Sequence, residues 1–194
     1  MEIEALDRER TVLFLGFAPI EEHGRHLPVG VDVYETEYWI RQCVERLEKE
    51  FENHTFLLLP VIPYGYADLR GFTENIQLTQ RVFYRLVSDT LKAVANWGLR
   101  HIVAISGHAD PKHLIALEQA CETVNKKYGD IAFAPMGAIF SGKVPDQIEN
   151  TLEPMQDICV KDTEMIFPKK VMKKTAGYGH LGYPRAAQKL WGID

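Results

Sequence analysis

The sequence predicts an α/β fold, a three-layer α/β/α sandwich around a mostly parallel central sheet. Two observations carry this. Apolar runs of strand length, at residues 11–18, 55–62, 101–105 and 131–139, alternate with longer segments whose apolar residues recur at helical spacing. Strands alternating with helices of this length imply βαβ units, with right-handed crossovers that put helices on both faces of the sheet. A third observation is negative: no repeat, low-complexity tract or linker divides the chain, so residues 1–194 read as a single domain.

Each element has its own signal. Val12 to Phe17 is a buried strand that breaks at Pro19. From Val33 to about Phe51, Tyr34, Tyr38, Trp39, Cys43, Val44, Leu47 and Phe51 mark a helix, and Asp32 with Glu35 resembles a capping box at its start. Thr55 to Ile62 is a second strand interrupted by Pro60, and residues 64–78 keep neither period and read as a long loop. Thr79 can cap the next helix, whose inner side is Phe83, Leu86, Val87, Leu91 and Val94, with Gly98 as its end. His101 to Ile105 is the third strand. Asp110-Pro111 then opens a helix with Leu114, Leu117, Cys121, Val124 and Tyr128 inward and Gly129 as its stop. Ile131 to Ile139 is the fourth strand. Beyond Ser141 come an acidic segment (145–164), a Lys-rich one (169–174) and a Gly-rich turn before a short final helix.

Composition narrows the function classes. A net charge of −5 with no basic run argues against nucleic acid or an anionic membrane surface as partner. The cysteines Cys43, Cys121 and Cys159 are odd in number and form no CxxC pair, which argues against a disulfide framework or zinc ribbon. No apolar stretch reaches membrane-spanning length, and the acidic opening MEIEALDRER is no signal peptide, so a cytoplasmic protein is expected.

Chemistry concentrates after the first strand, in the stretch TVLFLGFAPIEEHGRHLPVGVD. Glu21, Glu22, His23, Arg25 and His26 crowd one loop, and Asp32 closes it where a helix begins. Ligands of parallel sheets gather at the carboxyl ends of the strands, and the third strand delivers His108 and Asp110 to that same edge. Glu21, His23, Asp32, His108 and Asp110 offer three carboxylates and two imidazoles, enough for a binuclear metal site with one bridging carboxylate. The same residues have plainer readings: Asp32 and Asp110 both precede helices and suit N-caps, and one of Glu21 and Glu22 suits a solvated loop. His26 suits orienting a ligand or contacting substrate, whereas His54, His101 and His113 read as structural, His113 on the helix surface.

The string EEHGRHLPVGVD resembles the signature of the creatininase family, E-Q/E-H-G-x-H-L-P-x-x-x-D, and Gly107-His108-Ala109-Asp110-Pro111 is similar to its second motif, G-H-x-E-N or G-H-G-G-N. The resemblance implies a creatininase-like sandwich in which Glu21, Asp32 and His108 hold one metal, and His23, Asp32 and Asp110 the other. It implies two divalent ions, Zn2+ first, with Mn2+ or Fe2+ as alternatives. The third motif, H-A-G-x-x-E-T-S, has its best counterpart in residues Asp157 to Glu164, where only Thr163 is identical and Asp162 falls at the catalytic Glu position. Gly71-Phe72-Thr73 stands in for a Phe-Pro-Gly-Thr loop, and Gly179-x-x-Gly182-x-Pro184 echoes the family's C-terminal part.

What this implies is an amidohydrolase that cleaves a non-peptide C–N bond in a small-molecule amide with metal-activated water. Asp162 would shuttle the proton, and His26 and His180 would contact substrate. Arg25, Arg70 and Lys143 are candidates for a phosphate-bearing substrate, and the resemblance implies a homo-oligomer, with a hexamer as the first expectation. Two alternatives stay open: a nucleotide deformylase or peptidase-type relative, and a metal- or small-molecule-binding protein that lost the third motif.

Overall fold

The computed structural model describes residues 3–23, 27–67 and 75–137. Its centre is a four-stranded parallel sheet. β1 (Thr11–Gly16) pairs with β2 (Thr55–Leu58) on one side and β3 (His101–Ile105) on the other, and β3 pairs with β4 (Ala132–Phe133), giving the order β2-β1-β3-β4. The crossovers are α1 (Val31–Glu50), α2 (Gln80–Ala95) and α3 (Pro111–Tyr128). A short 3₁₀ turn, Ile3–Ala5, precedes β1.

Strand order decides the layers. The chain moves one way from β1 to β2, then turns back across β1 to reach β3 and β4. With right-handed crossovers, that reversal puts α1 on one face and α2 with α3 on the other. The cores agree. Leu13, Leu15 and Phe17 pack with Phe83, Val87 and Leu91 of α2 and Leu117, Ala120 and Val124 of α3. Phe14, between them in sequence, packs with Ile40 and Val44 of α1. The two-residue alternation of β1 thus feeds both cores, as expected of a central strand.

The reversal also creates a topological switch point, where the crossovers leaving β1 and β3 part to opposite faces, and α/β proteins place ligands there. At that edge the backbone stays tied: Phe17 N–H donates to Ile105 O (2.9 Å) and Ala18 N–H to Ile62 O (3.2 Å). Gly16 lets α1 come close, since a Cβ there would lie 2.6 Å from Val61 and 2.8 Å from Thr36. That approach carries the first turn of α1 down onto the edge.

Several sequence expectations are corrected. α1 starts at Val31, not Val33, with Gly30 at the N-cap and no side-chain cap bond, so Asp32 and Glu35 form no capping box. Both are buried; the Pro28–Gly30 turn starts the helix, and the carboxylates face inward. β2 ends at Leu58, before Pro60, which lacks the donor a ladder needs; Ile62 touches β1's extension only through a bridge to Phe17. β4 stops at Phe133, and Met136 and Gly137 already turn helical beyond Pro135, rather than extending as a strand toward Ile139. The Thr79 cap is present, its hydroxyl accepting from Val82 N–H at 3.3 Å.

Among the described residues two cysteines are free: Cys43 is half-buried, and Cys121 is buried with its thiol pushed up to about 12 by desolvation, an inert core group. His54 lies between Phe51 and Phe56, and His101 is held by Glu9 O at 3.1 Å, both structural roles as expected. Among the described residues no helix is long and apolar enough to cross a membrane. Leu91, with no exposure, lies in the α2 stripe, whereas Val82 is half exposed on the other side. Leu91→Ala is expected to lower unfolding stability by about 2–5 kcal/mol, and Val82→Ala by no more than about 0.5 kcal/mol, both read from urea denaturation.

Candidate metal centre

Two crossover loops build the site. After β1 the chain runs through Pro19 to Glu21, whose N–H donates to Val29 O at 3.0 Å, closing the loop on itself. Glu22 N–H donates to Asn75 Oδ1 at 2.7 Å, and Ile20 bridges Ile76, so the segment before α2 braces the loop from outside. His23 turns its ring inward through Nδ1, 3.1 Å from Glu21 O. Asp32 arrives on the first turn of α1 and His108 on the loop after β3.

These side chains converge. His108 Nδ1 lies 3.2 Å from Glu21 Oε1 and 3.1 Å from Asp32 Oδ2. On the other side, His23 Nε2 lies 3.1 Å from Asp32 Oδ1 and 3.8 Å from Glu21 Oε1. Asp32, with no exposure at all, therefore presents one oxygen to each imidazole. Glu21, Asp32 and His108 each place a ligand atom within 4.8 Å of the others, the one such group of three among the described residues.

The electrostatics call for positive charge. Burial is the strongest influence on Glu21 and raises its carboxyl, with the Asp32 charge adding to it and His108 and His23 pulling back. For His108 burial again acts most strongly, now downward. The charges and hydrogen bonds of Glu21 and Asp32 together outweigh it, and the ring is held well above its usual value. A proton on His108 thus answers two buried carboxylates. A divalent cation would answer the same need, because burying charge without a partner is costly. Glu21 Oε2 and His108 Nε2 are buried with no hydrogen-bond partner among the described residues. Carboxylate oxygen plus imidazole nitrogen is the donor set of Zn, Mn and Fe sites, so the residues present fit such an ion.

Asp110 plays a different part in the structure. It is the N-cap of α3, its Oδ1 accepting from Lys112 N–H at 2.7 Å and His113 N–H at 3.2 Å. It is not in the group of three, because the cap bonds direct one oxygen back along its own helix. Both cap bonds fall on Oδ1. His26, Asp162 and His180 lie outside the described residues, as do Arg25, Arg70, Lys143, Asp157 and Cys159.

His113 is misplaced by the sequence reading. It is fully buried rather than on the helix surface, stacked on Phe83 at 4.2 Å and meeting the His108 ring edge-on at 5.0 Å. Burial, and next the His108 charge, hold it well below its usual value, hence neutral. The signal was there: His113, Ala116, Leu117, Ala120, Cys121 and Val124 keep the i, i+3, i+4 spacing, so the apolar stripe of α3 begins with a histidine. Glu35, expected in a capping box, and Thr36, not singled out in the sequence, are both buried beside this site. A Cβ on Gly107 would stand 3.1–3.2 Å from Asp32 O, Thr36 Oγ1 and Glu35 Cβ, so α1 presses directly on the His108 loop.

Comparison with known proteins accords with this geometry. A family model described as creatininase, creatinine amidohydrolase, matches residues 1–169. A creatinine amidohydrolase (creatininase) crystal structure is similar at 19% identity and TM-score 0.54, covering 71% of this chain and 57% of that one. A mutant creatininase of Zn–Zn type gives 19% and 0.56, covering 75% and 57%. A putative creatinine amidohydrolase from Bacteroides fragilis NCTC 9343 gives 19% and 0.52, covering 63% and 48%. The chain thus spans less than three fifths of these proteins. No curated protein matches. With the family model covering most of its length, the chain belongs to the creatininase family.

Proposed function

We propose that this protein is a metal-dependent amidohydrolase that cleaves a non-peptide C–N bond in a small cyclic amide or formamide. The observation that carries the reading is the buried Glu21–Asp32–His108 group at the switch point, whose two carboxylates and imidazole suit a divalent ion. Glu21, Asp32 and His108 would hold the first ion, and His23, Asp32 and Asp110 the second. Zn2+ is the first choice and Mn2+ or Fe2+ the alternatives; among similar structures one is described as Zn–Zn type and another as creatininase Mn.

Ions bound there would supply Lewis acidity and lower the pKa of water towards ~7. The chain's own residues do the rest. The bond from His23 to Glu21 O keeps its Nε2 aimed at Asp32, and the Glu21 loop is pinned by Val29 and Asn75. In the net reaction water oxygen bonds to the carbonyl carbon, the C–N bond breaks, and the nitrogen leaves with a proton. Asp162 is proposed to deliver that proton and His26 to contact substrate. A single domain over 1–194, a cytoplasmic location and a homo-oligomer, with a hexamer as the first candidate, belong to the same proposal. A second reading, a metal- or small-molecule-binding relative without turnover, is favoured by the third motif, where Asp162 replaces Glu and Asp157 replaces His.

Metal analysis of purified protein is expected to find about two divalent ions per chain, and Asp32→Asn to lose both; one ion or none in the wild type removes the binuclear centre. His23→Ala is expected to abolish hydrolysis across a panel of cyclic amides and formamides while keeping the native circular dichroism spectrum, and full turnover by that variant rules His23 out as a ligand. Asp110→Asn keeps an N-cap residue, so stability should change little, whereas Asp110→Ala should cost about 1 kcal/mol. If Asp110 also ligates, the Asn variant drops to one ion per chain; unchanged stoichiometry leaves Asp110 a cap alone.

A further inference from the structure

We propose that His113, acting through Ser106, is a positioning residue that fixes the backbone at His108 and so sets where that imidazole stands against Glu21 and Asp32. The inference rests on the reading that these three residues hold a metal ion. It starts from counting donors. Tyr66 N–H donates to His113 Nδ1 at 3.2 Å, so that nitrogen carries a lone pair. The single proton of the neutral ring is then on Nε2, which donates to Ser106 Oγ at 3.0 Å. The same oxygen accepts from His108 N–H at 3.1 Å. Ser106 thereby joins the ring of His113 to the main chain of the ligand itself.

The ring has little freedom to move. Phe83 stacks on one side at 4.2 Å and 25°. On another, a Cβ at Gly65 would fall 2.7 Å from His113 Cε1, so only glycine lets the Tyr66 segment approach close enough to donate. His108 is gripped a second time, since Gly107 N–H donates to Thr36 Oγ1 at 2.7 Å while that hydroxyl donates to Asp32 O at 2.6 Å. A leucine at 113 would continue the apolar stripe without burying polar atoms. A histidine there needs both nitrogens satisfied, and the partner it finds is the hydroxyl that holds His108.

Titration of metal-free full-length protein with Co2+, followed by calorimetry and by the visible absorption of the bound ion, tests this. His113→Leu and Ser106→Ala are each expected to weaken Co2+ binding about 10- to 100-fold and to alter the absorption band. His113→Gln, whose amide can still donate to Ser106, should recover most of the affinity, and the double variant should be no weaker than either single one. Variants that melt earlier yet bind Co2+ with wild-type affinity and spectrum make His113 a packing residue only and overturn the inference. So does a double variant whose losses add. If His113→Leu does not fold, the Ser106→Ala titration decides alone. Failure of the wild type to bind Co2+ defeats the metal centre itself, a different result from loss of the His113 effect. Independently of metal, imidazole ¹H–¹⁵N NMR should find Nδ1 of His113 unprotonated, and a proton there overturns the assignment.

Discussion

A carboxylate with no access to water is the constraint around which the switch-point edge is arranged. Removing a charge from solvent costs several kcal/mol even after the protein relaxes, so Asp32 is tolerable only where positive charge or strong donors meet it. The fold meets that demand from two directions. Parallel pairing of β1 with β3 sets the loop that follows each strand side by side, and His23 and His108 reach the same carboxylate from opposite flanks. The crossover reversal, the small residue at Gly16 and the close approach of α1 all serve to bring that one side chain to the rim.

Much of this was legible in the residues, for physical reasons that differ by element. α2 was read almost whole, because its stripe from Phe83 to Val94 faces one core and its Thr79 cap is local chemistry. β1 and β3 were read because fully buried parallel strands are continuous apolar runs. The parallel sheet with helices on both faces followed from their alternation. Boundaries failed where a proline or a tight turn decided them: at Pro60, at Pro135, and at the Pro28–Gly30 turn that starts α1 two residues early. Convergence of the two loops was anticipated from the carboxyl-edge rule, and Glu21, Asp32 and His108 do meet. Partner choice was harder. Asp32 and Asp110 look alike in sequence, each an aspartate ahead of a helix. Only the three-dimensional path distinguishes the one that turns inward from the one that accepts its own helix's N–H groups.

His113 shows a different limit. Periodicity places it on the inner face, but polarity argues for the surface, and the conflict resolves only once Ser106 and the Tyr66 amide are seen to satisfy both nitrogens. Local disagreement between pattern and polarity is itself a marker of functional positions, and here it falls beside His108. Family membership accords with the fold. At 18–20% identity to the solved structures, the likeness is one of fold.

The contact between α1 and the His108 loop is tight: a Cβ on Gly107 would stand 3.1–3.2 Å from Asp32 O, Thr36 Oγ1 and Glu35 Cβ, so even a methyl group would oblige a neighbour to shift. A larger residue at 107 would therefore press on the turn of α1 that holds Asp32. The cost would fall on Asp32 and His108 together, because this one glycine separates the loop that carries the imidazole from the helix turn that carries the carboxylate.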